Sequence, residues 1–133
     1  MPTLDLVWLI DDNEADNYYH QVIIKRSGIA RRIRVFQYAE EALEALAAGD
    51  EVSDMVFLDI NMPRMNGFEF LEAYEKLNFH GKRSVVVVML TTSVNPSDED
   101  KASGYPDVRE FCSKPLTVEA LHQVVKRYFP DRG

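Results

Sequence analysis

Five times along the chain an apolar segment of strand length gives way to a segment with helical spacing. Leu4–Ile10 is apolar except for Asp5 and stops at Asp11-Asp12-Asn13-Glu14, as a strand running into a loop does. Residues 14–27 read as a helix, with Ala15, Tyr19 and Ile23 on one stripe, Tyr18 and Val22 beside it, and Gly28 as its stop. Residues 32–38 alternate, with Ile33, Val35 and Gln37 on one face and Arg34, Phe36 and Tyr38 on the other. That is a half-buried strand at an edge. Residues 40–48 form a short amphipathic helix with Ala42, Leu43 and Leu46 inward, closed by Gly49. Residues 54–59 are an apolar strand ending in an acid, and 67–77 a helix carrying Phe68, Leu71, Tyr74 and Leu77. Residues 84–91 are β-branched without interruption, as a strand covered on both faces should be. Residues 97–104 are polar and make a weak helix at best, closed by Gly104 and Pro106. Val108–Ser113 is a fifth strand, and residues 117–129 a last helix with Thr117 as its N-cap and Leu121, Val124, Val125 and Tyr128 as its apolar stripe.

Strict alternation with buried middle strands implies a parallel sheet with helices on both faces. Crossovers between parallel strands are right-handed. The simplest arrangement is a flavodoxin-like (βα)5 doubly wound three-layer sandwich with strand order 2-1-3-4-5. The 133 residues leave no room for a second domain, so one domain over 1–133 with a core over 4–129 is expected.

Composition removes several classes of function. The lone Cys112 can make neither an internal disulfide nor a cysteine zinc site. The longest apolar run, residues 85–90, is far short of a membrane span, and no signal peptide is visible. A cytoplasmic, membrane-free protein is the expectation. Fifteen basic against 22 acidic residues give a net charge of -7, which argues against direct nucleic-acid binding.

In a doubly wound sheet, ligands bind beyond the carboxyl ends of the strands, where the strand order reverses. Asp11, Asp12 and Asp59 fall there; Thr91 and Thr92 end the fourth strand, and Lys114-Pro115 follows the fifth. Three carboxylates so close repel one another: either some stay protonated or a cation holds them. A hard divalent cation such as Mg²⁺ suits two or three protein oxygens with waters and a phosphate oxygen. A lysine, a hydroxyl donor and such a cation match a phosphoryl group, and a carboxylate among them can act as its nucleophile.

These residues resemble the receiver domain of bacterial two-component response regulators, of the chemotaxis-regulator type. The likeness runs from Leu4 to Phe129, and its most specific stretch is Asp59-Ile60-Asn61-Met62-Pro63-Arg64-Met65-Asn66-Gly67. Asp11-Asp12, Leu90-Thr91 and Lys114-Pro115 stand in the family's order. The resemblance implies that Asp59 is the phosphoacceptor, attacking a phosphohistidine on a histidine kinase or histidine phosphotransfer protein. It implies that Mg²⁺, or Mn²⁺ in its place, is held by Asp12 and Asp59, by the Asn61 carbonyl, and through water by Asp11. Lys114 would grip one phosphoryl oxygen and Thr91 another, and the Lys114–Pro115 bond would be cis. Pro63 and Gly67 suit a sharply turning loop, proline by fixing φ and glycine by permitting an unusual one. Met62 and Met65 read as loop packing.

The resemblance also implies a switch. Thr91 would shift toward the phosphate and Phe111 would follow, altering the face made by the fourth helix, fifth strand and fifth helix; Phe111 as plain core is the alternative. The expected output is a stand-alone receiver acting on a separate protein target, with a phosphorelay intermediate as an alternative. It would be a monomer or a weak phosphorylation-dependent homodimer, and not an enzyme beyond its own phosphorylation and dephosphorylation. Tyr18 and Val22 would either dock a histidine-bearing bundle or pack on neighbouring helices. Asn61 and Ser93 flank the path of a hydrolytic water, which Thr92 narrows. Gly104-Tyr105-Pro106-Asp107 departs from the family, and residues 96–107 are expected to be mobile or partly unwound. An aspartate-nucleophile phosphatase of the haloacid-dehalogenase type would carry a second aspartate where Asn61 stands. A flavodoxin-like electron carrier would not place Asp-Asp-Asn-Glu against a flavin phosphate.

Overall fold

Parallel pairing obliges each connection to cross the sheet, and helices make those crossings. The computed structural model describes residues 4–49, 53–77, 85–92 and 95–130. Within them the order is β1 (Leu4–Ile10), α1 (Glu14–Ser27), β2 (Ala30–Phe36), α2 (Ala39–Ala48), β3 (Met55–Asp59), α3 (Gly67–Lys76), β4 (Val86–Thr91), α4 (Pro96–Ala102), β5 (Val108–Ser113) and α5 (Val118–Tyr128). The strands form one parallel sheet in the order β2-β1-β3-β4-β5, as the alternation predicts. No helix among the described residues is long and apolar enough to cross a membrane.

Alternate residues of each strand feed two cores. Leu6, Trp8, Ile10, Leu58 and Met89 face α2 and α3, together with Ala102 at the end of α4. Val7, Leu9, Phe57, Val88 and Leu90 face α1 and α5, against Ile24, Leu121 and Val125. Every residue of β3 and β4 is buried, whereas edge strand β2 is mostly half-exposed. The register pairs Ile10 with Leu58, Asp59 with Leu90 and Thr91 with Ser113. All four strand ends that carry functional groups therefore reach one rim.

Several local expectations are corrected. β2 spans Ala30–Phe36 rather than 32–38. Gln37 leaves the strand, and Tyr38, although extended, is the N-cap of α2. In α1 the buried residues are Asn17, His20, Ile23, Ile24 and Ser27; Ala15 and Tyr19 are exposed, so only Ile23 of the expected stripe faces inward. Leu77 is the half-buried C-cap of α3. The polar segment after β4 does form a helix, started by Pro96 at its first turn and by the Asn95 side chain accepting from Ser97 N–H. It lasts 7 residues, and 103–107 are turns leading into β5. Ser84 and Ser93 lie outside the described residues.

Candidate functional site

The site begins where β1 ends. Asp11 is buried, and its Oδ1 accepts from Asn13 N–H at 3.0 Å. Asn13 in turn caps α1 by accepting from Asp16 N–H at 2.9 Å. The α1 face turned inward is polar at this end. Asn17 Nδ2 donates to the Asp11 carbonyl at 2.7 Å, and His20 Nε2 accepts from Leu116 N–H at 3.3 Å. Helix α1 thus stitches the end of β1 to the segment after β5, where the Lys114–Pro115 peptide bond is cis.

Carboxylate oxygens of Asp11, Asp12 and Asp59 lie within 4.8 Å of one another. Lys114 Nζ donates to Asp11 Oδ2 at 2.8 Å and to Asp16 Oδ2 at 2.8 Å, and stands 3.3 Å from Asp59 Oδ1. Burial and the neighbouring Asp11 carboxylate push the Asp59 carboxyl up to about 6, against the opposing pull of Lys114. Burial alone would lower the Lys114 ammonium, but its hydrogen bonds to Asp11 and Asp16 outweigh that and hold it above the usual lysine range. Burial and the charge of Lys114 hold His20 below the usual histidine range. The cluster has a surplus of negative charge that one lysine does not cancel. A hard divalent cation with oxygen ligands fits that donor set. Asp59 lies at the end of β3 beside the Lys114 ammonium.

The loop after β3 is shaped by contacts rather than by glycine's φ. A Cβ at Gly67 would meet the Asp59 carbonyl at 2.6 Å and Ile60 Cα at 3.1 Å. Gly67 N–H donates to the Ile60 carbonyl at 2.9 Å. The expectation of an unusual φ at Gly67 is therefore replaced by close approach, and the positive φ of the loop, 68°, falls on Arg64. Arg64 is braced from α2: its guanidinium lies 4.1 Å from the Tyr38 ring centroid, and Nε is 2.9 Å from Glu40 Oε2. Asn66 and Glu69 form a reciprocal capping box that starts α3. Met62 is buried and Met65 packs against the core, as loop packing requires.

The remaining sequence candidates are placed as follows. Thr91 is buried at the end of β4, and its carbonyl accepts from Lys114 N–H at 2.7 Å. Phe111 is half-buried on the same sheet face as Met89, opposite it in register. Asn61 and Thr92 are exposed. Tyr18 is 71% exposed and so does not pack on a neighbouring helix. It borders a shallow cleft of about 390 Å³ that Asn17, Gln21 and Gln37 also line. Sequence reasoning missed Asp16, Asn17 and His20. The available signal was that polar residues recur at 13, 16, 17 and 20, a helical spacing that points them at one side.

The fold is shared with known proteins. The sequence profile described as the response regulator receiver domain matches residues 7–126. The sensory/regulatory protein RpfC of Xanthomonas campestris is 31% identical over 111 residues, covering 84% of this chain and 15% of RpfC. The sensor histidine kinase CheAY of Helicobacter pylori is 30% identical over 134 residues, covering 99% of this chain and 16% of CheAY. The chain thus spans about a sixth of the length of these relatives. A two-component response regulator structure from Cytophaga hutchinsonii superposes with a TM-score of 0.83 at 29% identity, covering 94% of this chain and 96% of that one. The chain belongs to the response regulator receiver domain family, the signalling modules of two-component systems.

Proposed function

We propose that this chain is a phosphoacceptor receiver whose nucleophile is Asp59. The observation that carries the reading is the placement of the Asp59 carboxylate, 3.3 Å from Lys114 Nζ and grouped with the Asp11 and Asp12 oxygens. In the reaction, an Asp59 oxygen attacks the phosphorus of a phosphohistidine on a histidine kinase or phosphotransfer protein. A P–O bond forms, the P–N bond breaks, and its electron pair stays on the imidazole nitrogen. Lys114 stabilises negative charge on a phosphoryl oxygen, and the Thr91 hydroxyl donates to another. Asp11, Asp12, Asp59 and the Asn61 carbonyl would hold Mg²⁺ or Mn²⁺, which when bound supplies charge neutralisation for the phosphoryl oxygens.

The signal leaves through the face made by α4, β5 and α5. Phe111 shares a sheet face with Thr91, since Met89 and Thr91 are two residues apart on β4 and Phe111 pairs with Met89. Exposed Tyr18 near the acid cluster offers a seat for the phosphodonor. The reading is of a cytoplasmic receiver that signals to a protein target. Incubation with acetyl phosphate and Mg²⁺ should add one phosphoryl mass to the wild type, seen by intact mass spectrometry, and none to Asp59→Asn. An unmodified wild type would leave only a binding role.

A further inference from the structure

We propose that Asp16 is a positioning residue for phosphoryl transfer: it fixes the Lys114 ammonium in place beside Asp59. The inference rests on the phosphoacceptor reading of Asp59.

A lysine ammonium has three N–H donors and no acceptor. In this site it has three carboxylate partners. Two are tight, Asp11 Oδ2 and Asp16 Oδ2, each at 2.8 Å. The third, Asp59 Oδ1, is longer at 3.3 Å. With two donors pinned, the ammonium is held as a fixed positive charge 3.3 Å from Asp59 Oδ1. Asp11 alone would set the rotation of the ammonium but would leave the flexible four-carbon stem free to swing Nζ about that single contact.

Asp16 is suited to the task in two further ways. Its backbone is anchored, since Asp16 N–H donates to Asn13 Oδ1 at 2.9 Å in the first turn of α1. Its carboxylate also stands outside the Asp11, Asp12 and Asp59 group whose oxygens fit one cation. A cation that draws on Asp11 therefore leaves Asp16 as an anchor belonging to Lys114 alone. Asp16 is the most exposed of the three partners, with a side chain 35% accessible against 3% for Asp11 and 8% for Asp59. It holds the ammonium from the solvent side, where an incoming phosphodonor arrives. A purely structural role, an acid in the first turn favouring the helix dipole, would affect stability and leave the chemistry alone.

The test compares wild type, Asp16→Ala and Asp16→Asn with acetyl phosphate and Mg²⁺, following mass gain over time at several donor concentrations. In this step an Asp59 oxygen displaces acetate, which leaves with the electron pair of the broken P–O bond. Asp16→Ala should lower the maximal rate about five- to tenfold with little change in the half-saturating donor concentration. Asp16→Asn, which keeps an acceptor oxygen, should recover most of that rate. A slowly exchanging Lys114 ammonium signal in ¹H–¹⁵N spectra should persist in Asp16→Asn and be lost in Asp16→Ala. Asp16→Ala reacting at the wild-type rate or faster, or Asp16→Asn as slow as Asp16→Ala, would overturn the proposal while leaving Asp59 as phosphoacceptor. No mass gain in the wild type would overturn both.

Discussion

Two cations, one after β5 and one after β3, are held by the protein in opposite ways. Lys114 has a side chain 9% exposed and meets three carboxylates. Arg64, on the loop after β3, is 58% exposed and meets one carboxylate and one ring. The Lys114 flank is built by distant parts of the chain, with polar α1 residues tying β1 to the segment after β5. The Arg64 flank is a surface brace between a loop and the start of α2. Burial makes the first cation indispensable to its neighbours, because unpaired buried charges are costly. Solvent makes the second replaceable, because exposed pairs contribute little.

The sharpest way to break this contrast is Lys114→Ala. It should slow phosphorylation by at least about 100-fold. In EDTA it should destabilise the fold by about 3 kcal/mol, with partial recovery on adding Mg²⁺. Urea titrations with and without Mg²⁺ check it, and a stability indifferent to the metal would show that the lysine does not balance the cluster.

Asp59→Asn should act in the opposite direction when no metal is present. The Asp59 carboxyl sits at about 6 in the fold against an ordinary 3.8, so between those values the native state binds a proton that the unfolded chain releases. Wild-type stability therefore falls as pH rises from about 4 to about 6, and the full cost remains above that. Removing the charge should stabilise the metal-free protein at pH 7 by up to about 3 kcal/mol, and the gain should vanish below about pH 4. Denaturation midpoints from pH 3.5 to 8 in EDTA measure it; a pH-independent gap would refute this cause.

Smaller effects are expected on the Arg64 flank. Gly67→Ala should cost about 2 kcal/mol, because the new Cβ meets the Asp59 carbonyl. Arg64→Gly should change stability by less than about 1 kcal/mol, since relief of the positive φ offsets the loss of an exposed ion pair and ring contact. A larger loss for Arg64→Gly than for Gly67→Ala in thermal melts would reverse the ranking of the loop's two fixed points.

The sheet was legible because its signal is redundant. Each apolar run ends at a turn or an acid, and the strand order follows from alternation. The acid cluster was legible for the same reason, since strand ends report position along a parallel sheet. Helix α1 was not. Its apolar pattern names Tyr19, yet that residue is 45% exposed, while Asn17 and His20 are buried. Hydrophobic periodicity ranks polar residues as outward, and it fails where they have buried partners such as the Asp11 carbonyl and Leu116 N–H. The Gly67 role was misread because a tight approach and a positive φ leave the same glycine in a sequence.

The α1 stitches also bear on the order in which the molecule assembles. The contacts of Lys114 with Asp11 and Asp16 span 103 and 98 residues, and that of Leu116 with His20 spans 96. Contacts so distant along the chain close late in folding. During synthesis, Asp11, Asp12 and Asp59 all emerge before the lysine that partly offsets their charge. A nascent chain that has reached β4 carries the full set of acids without their counter-ion, and docking of β5 supplies it.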